Sequence, residues 1–128
     1  AVAKAALYWT LDYVQNRNAF GQSIASFQNT RFLLAELFTE VQIGQTYIDQ
    51  SIQLHCAQQL DATQAAVGKY WCTEMQNRVV DKCLQLHGGY GYMREYPIAR
   101  AWVDSRIQSI YGGTSEIMKE IISRSFTV

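Results

Sequence analysis

Apolar and small side chains recur along most of this chain at steps of three and four, the period of a helix with one face turned to a core. Val2, Ala5, Ala6, Trp9 and Tyr13 form one such stripe and predict a first helix running to about Asn16. The stretch Arg17-Asn18-Ala19-Phe20-Gly21-Gln22-Ser23 has the Asn, Gly and Ser chemistry of a loop. A second helix is predicted from Gln28 to about Cys56 on the stripe Leu34, Phe38, Val41, Ile48 and Ile52. Asp61 followed by Gln64 has the spacing of a capping box and opens a third helix. Along that helix Ala65, Gly68, Cys72, Met75, Val79, Cys83 and Leu86 form a narrow seam of mostly small side chains, which lets another helix approach closely. Gly88-Gly89 is expected to end it by supplying positive φ. Pro97 suits the first turn of a shorter fourth helix through about Gln108, and Thr114 or Ser115 can cap a fifth that runs toward Phe126.

The implied fold class is all-α: an up-and-down bundle of about five helices in a single domain over residues 1–128. Composition agrees, since the chain contains one proline, the strongest breaker of helical backbone. The segment Ala1-Val2-Ala3-Lys4 forms helix from the first residue with neither an initiator Met nor a capping side chain before it. It reads as the tail of a larger polypeptide.

Charge narrows the function. Lys plus Arg and Asp plus Glu number 11 each, so no general attraction to nucleic acid or to an anionic membrane surface is expected. No apolar run is long enough for a membrane span. The three cysteines are too few and too widely spaced for a zinc site or a disulfide framework, which points to a reducing compartment. Cys72 and Cys83, on the seam, read as inert core thiols. His55 and His87 lack the spaced partners of a metal site.

Candidate chemistry gathers at the helix ends. Arg17, followed closely by Phe20 and Gly21, is either a solvated charge or a planar cationic fork over a phosphate or pyrophosphate. His87 is either a favourable charge at a helix C-terminus or part of a ligand-facing turn. Gln28 and Gln85 can read a ligand edge through donor and acceptor alike, or simply meet water. In "HGGYGY" (His87–Tyr92) the glycine pair can be an ordinary helix stop. In "IYGGTSE" (Ile110–Glu116) a hydroxyl and a carboxylate open a helix, an arrangement that either receives polar ligand groups or merely balances the helix dipole.

Taken in order and at these separations, "NRNAFG", Phe27-Gln28, "QLHGGYGYMREYPIAR" from Gln85 to Arg100 and "IYGGTSEIMKEII" from Ile110 to Ile122 resemble the C-terminal helical domain of the acyl-CoA dehydrogenases. The resemblance covers nearly the whole chain, and "YGGTSEIMKE" is closest in wording to the long-chain type. It implies a flavoenzyme of the bacterial cytoplasm or mitochondrial matrix that oxidises acyl-CoA to 2,3-enoyl-CoA and passes electrons to an electron-transferring flavoprotein. It also implies N-terminal helical and middle β domains not represented in these residues, and a homotetramer. Carried over position by position, Arg17 would contact the FAD pyrophosphate region, and Phe27, Gln28, Gln85, Leu86, His87, Gly88 and Gly89 would line the part of FAD held across a subunit interface. Thr114, Ser115 and Glu116 would complete the FAD contacts. Tyr111, Gly112 and Gly113 would line the thioester end of the acyl-CoA site.

Gly112 departs from the pattern of many family members, which carry there the Glu that removes the substrate's α-proton. The long-chain and isovaleryl-CoA types resemble this chain in lacking it and draw the base from an upstream helix. The expected base therefore precedes Ala1, Glu116 is not promoted to that role, and the chain alone is expected to be inactive. Two other readings stand beside this one: a same-fold flavoprotein such as a nitroalkane oxidase or flavin monooxygenase, and a non-catalytic helical interaction domain.

Overall fold

The computed structural model describes residues 1–126. Five helices account for most of it: α1 (Val2–Asn16), α2 (Gln28–Cys56), α3 (Ala62–His87), α4 (Pro97–Arg106) and α5 (Ser115–Arg124). The predicted all-α bundle and its helix order hold. The loop after α1 carries a two-stranded antiparallel hairpin, β1 (Asn18–Ala19) with β2 (Gln22–Ser23), turning through Phe20 and Gly21, both at positive φ. Among the described residues no helix is long and apolar enough to cross a membrane, and no group of His, Cys, Asp or Glu is placed to hold a metal ion.

Helix α3 is the axis of the fold, packing against α1, α2, α4 and α5. Its start is fixed by the expected capping box: the Asp61 carboxylate accepts from Gln64 N at 2.7 Å, and the Gln64 amide oxygen accepts from Asp61 N at 3.2 Å. At 26 residues it makes a rod of about 40 Å, long enough to carry partners at both ends. Small residues set the close approach of α2. A Cβ on Gly44 would lie 2.7 Å from Met75 Cε, and one on Gly68 would lie 3.1 Å from the Tyr47 ring.

The core is formed chiefly by Ala6, Leu7, Val14, Leu34, Leu37, Val41, Met75, Val79, Val80, Cys83 and Ile98. Three expected stripes need correction. In α1 the buried set is Ala3, Ala6, Leu7, Thr10 and Val14, one residue around from the predicted face, and Trp9 is exposed. The helix is Ala-rich on both faces, so the period alone left its rotation open. Thr10 can be interior because its hydroxyl donates to Ala6 O at 2.7 Å, which removes the cost of burying it. In α2, Leu34 and Val41 are buried, but Phe38 and Ile52 are half exposed and Leu37 takes the inward place. In α3, Gly68, Met75, Val79 and Cys83 are buried, Cys72 and Leu86 partly so, and Ala65 is exposed next to buried Ala66.

Candidate functional site

At one end of the bundle α1 stops at Arg17, whose N–H donates to Tyr13 O at 2.9 Å and whose carbonyl accepts from Ile24 N at 2.9 Å. Facing it, α3 stops at Gly88, which takes φ 58° and ψ −140°, a conformation open to glycine and strained for other residues. Gly89 does not share the positive φ, and the chain continues as a 3-10 turn over Gly88–Tyr92. Between these two helix ends lies a cleft of about 580 Å³ that brings Arg17 together with Gln85, Leu86, His87, Gly88 and Gly89. Residues distant in sequence are thus gathered in one cleft. Tyr13, Tyr90 and Met93 join them, which no sequence signal marked as ligand-facing.

The electrostatics of this cleft are one-sided. No carboxylate lines it. The exposed Arg17 guanidinium lies over the Tyr90 ring, 5.3 Å from its centroid, and enters neither of the two ion pairs found among the described residues. A planar cation above an aromatic wall suits an anionic ligand with a flat portion.

His87 corrects an expectation. It is 4% exposed and its Nδ1 donates to Cys83 O at 2.9 Å, so the second ring nitrogen is the acceptor in the neutral form. Burial pushes its pKa below the ordinary value, outweighing the Cys83 hydrogen bond. It is a neutral, packed ring rather than a charge compensating the helix end. Tyr13 stacks on it at 4.3 Å between centroids and donates its hydroxyl to His87 O at 3.1 Å, while Tyr96 meets it edge-on. Burial likewise raises the Tyr13 hydroxyl and pushes the Cys83 thiol up to about 11, as suits an unreactive core cysteine.

Phe27 and Gln28 do not line this cleft. Phe27 precedes the first residue of α2, half-buried, with its ring edge-on to Phe20 at 6.5 Å. Gln28 is exposed as the first residue of α2. Both lie just beyond the 3-10 turn Ile24–Ser26, and Ile24 is part of the cleft wall.

The other expected residues form a second place. Thr114 caps α5, its hydroxyl accepting from Ile117 N at 3.3 Å. Glu116 is fully exposed. Its carboxylate is held below the usual range by its own backbone N–H and by the Thr114 hydroxyl. Ser115 is buried and donates its hydroxyl to Glu74 Oε1 at 2.5 Å, so what it can offer a ligand is its backbone N–H. Thr114, Ser115 and Glu116 border a cleft of about 930 Å³ between α3, α4 and α5. Tyr111, Gly112 and Gly113 do not line this cleft, although their chain neighbours Ile110 and Thr114 do; Tyr111 and Gly112 are exposed, with Gly112 at φ 62° and Gly113 at φ 101°. A Cβ at Gly112 would meet nothing within 4 Å, whereas one at Gly113 would lie 2.5 Å from Met118 Cε.

The two clefts sit on different stretches of α3. Glu74 to Asp81 border one and Gln85 to His87 the other, so on the helix their linings approach within four residues, roughly 6 Å.

The family model of the acyl-CoA dehydrogenase C-terminal domain matches residues 1–127. This chain belongs to that family. Rat mitochondrial long-chain specific acyl-CoA dehydrogenase is 51% identical over 115 residues, which are 90% of this chain and 27% of the rat protein. The likeness to the long-chain type is therefore borne out. An acyl-CoA dehydrogenase from Geobacillus kaustophilus superposes with a TM-score of 0.97 at 43% identity, over 99% of this chain and 33% of that one. A glutaryl-CoA dehydrogenase from Mycobacterium smegmatis, solved in complex with FADH2, superposes with a TM-score of 0.95 at 25% identity, over 98% of this chain and 33% of that one. The chain spans about a third or less of the length of these relatives.

Proposed function

We propose that this domain forms part of the flavin and acyl-CoA site of an acyl-CoA dehydrogenase, and contributes its subunit interface. The observation that carries the reading is the cleft at the end of α3, where Arg17 and the Gln85–Gly89 turn converge without a carboxylate. The residues present fit FAD. The Arg17 fork suits its pyrophosphate, and the open backbone at Gly88 and Gly89, where a Cβ would meet nothing within 4 Å, leaves room for close approach.

Bound FAD would accept the substrate's β-hydrogen as hydride. This chain's own part is to bind and orient. Arg17 holds the anionic portion of the cofactor, and the backbone of Gly112 and Gly113 forms one wall beside the thioester. Gly112 has no side chain, and the Glu116 carboxylate is engaged by its own backbone N–H and the Thr114 hydroxyl, which lower its pKa and make it a weaker proton acceptor, so neither is assigned as the base. That base is proposed to come from the parent polypeptide upstream of Ala1, in the manner of the long-chain type.

The resemblance also favours assembly, with one cofactor drawing on the Gln85–Gly89 turn of one copy and the α5 N-terminus of another, the two bordering distinct clefts of this chain. Exposed Phe32, Phe38 and Trp102 supply apolar surface for such an interface, while Trp71 is half-buried against the core. A homotetramer, electron transfer to an electron-transferring flavoprotein, and a home in the bacterial cytoplasm or mitochondrial matrix complete the reading. Acyl-CoA dehydrogenation by the purified parent protein with an artificial electron acceptor tests it. The parent is expected to carry flavin and turn over straight-chain acyl-CoA, whereas residues 1–128 alone are expected to show no turnover. A colourless, inactive parent would favour the helical interaction domain instead.

A further inference from the structure

Gly112 and Gly113 form a flexible link in the chain between α4 and α5. Both residues have positive φ, and Gly112 has open space where a side chain would stand. A glycine pair has more accessible backbone conformations than other residues, so its observed one is selected by its contacts, among them Gly113 against Met118. Upstream the chain is tied by Ile110 N and Tyr111 N, both donating to Ile107 O. Downstream it is tied by the bond from Ser115 to Glu74. Between those ties the pair itself has one recorded anchor among the described residues, in which the Lys69 ammonium donates to Gly113 O at 2.5 Å.

Lys69 is itself well placed to serve as a fixed donor. It lies inside α3, the central rod, where its carbonyl accepts from Thr73 Oγ1 at 2.9 Å, and it is partly buried. The next residue, Tyr70, receives Lys119 of α5 over its ring at 4.9 Å, so the same stretch of α3 also holds the helix that follows the loop. An ammonium-to-carbonyl bond is charge-assisted and stronger than a neutral one. It also draws electron density from the Gly113–Thr114 peptide, making Thr114 N–H a better donor.

We infer that Lys69 is a positioning residue of the site, setting the peptide planes of Gly112 and Gly113 against α3 so that their backbone presents one fixed face to a bound acyl thioester. This deepens the proposed function and rests on it for the identity of the ligand. The anchoring itself concerns this chain alone. Lys69 would touch neither substrate nor cofactor, and would act only through the backbone it holds.

The test uses the flavin-loaded parent enzyme with Lys69→Met, which keeps the stem and removes the charge, and Lys69→Arg, which keeps a cationic donor. Hydrogen exchange of the peptide spanning residues 110–116 is expected to quicken at least tenfold in Lys69→Met, with exchange within α3 unchanged. In the same variant kcat should fall at least tenfold while KM and flavin content change less than threefold. Lys69→Arg should recover at least half of each loss. If Lys69→Met does not fold, the comparison of Lys69→Gln, too short to reach, with Lys69→Arg takes its place. Unchanged exchange at residues 110–116 in the variant lacking the donor overturns the anchoring. Quickened exchange with unchanged kcat overturns the positioning role. A wild-type enzyme without acyl-CoA turnover defeats the proposed function, and the exchange measurement still decides whether Lys69 holds the loop.

Discussion

Gly112 and Gly113 are neighbours with the same side chain and the same sign of φ, yet the structure predicts different costs for the same substitution. At Gly112 an added methyl meets nothing within 4 Å, so Gly112→Ala costs only the unfavourable φ of 62°, about 1 kcal/mol. At Gly113 the φ of 101° lies further from any conformation an alanine favours, and the methyl would lie 2.5 Å from Cε of Met118, a buried side chain. Displacing that tip within a packed region adds roughly 1–3 kcal/mol, for a total of about 2–4 kcal/mol. In a domain of this size each kcal/mol lowers Tm by roughly 3–6 °C. Thermal and urea denaturation of both variants beside the wild type would measure the difference. Equal destabilisation by the two substitutions, or a Gly113→Ala protein as stable as the wild type, would refute the close packing of Gly113 on Met118.

Two further predictions concern α3. Asp61→Ala removes one half of the capping box and should destabilise the domain by about 1 kcal/mol, read as a lower urea midpoint with unchanged slope; no change would mean that the cap is not formed in solution. His87 has its pKa lowered by burial from an ordinary value of 6.5, so the unfolded chain binds its proton at a higher pH than the folded one. Its neutral, packed form therefore contributes stability that is complete above pH 6.5 and lost as pH falls through the window below it. Urea midpoints measured from pH 7.5 downward should fall in that window, and His87→Phe should flatten the slope; an unchanged slope in the variant would remove His87 as its cause.

Helix order and helix boundaries were legible in the sequence where one local device decides them. The Asp61–Gln64 box, Pro97 at the first turn of α4 and the Thr114 cap each fix a boundary by short-range hydrogen bonding or by fixed φ. Helix rotation was less legible. The α1 face turned out one residue away because alanines on both sides dilute the period and Thr10 hides its hydroxyl on Ala6. The resemblance marked Arg17 and Gln85–Gly89 as candidate FAD contacts but did not place them in one cleft, since no local pattern relates positions so distant in sequence. Tyr13, Tyr90, Lys69 and Glu74 were missed because their roles arise from tertiary contacts, and an aromatic or charged residue on a helix announces none of them. The charge imagined on His87 failed for the same reason, as burial is decided by Tyr13 and Tyr96 packing over it.

The central claim is that one flavin draws on the Arg17 cleft of one copy and the Gly112–Glu116 segment of another. Mixing two inactive variants of the parent enzyme tests it directly. Arg17→Ala disables the first cleft, and Gly112→Trp fills the open space beside the second with little to clash against in the fold. If each site is shared between two chains, co-expressed variants place two intact halves together in some mixed assemblies, restoring about a quarter of wild-type flavin content and activity under random pairing. If each site lies within one chain, every site in the mixture carries one lesion or the other, and flavin and activity stay at the level of the separate variants.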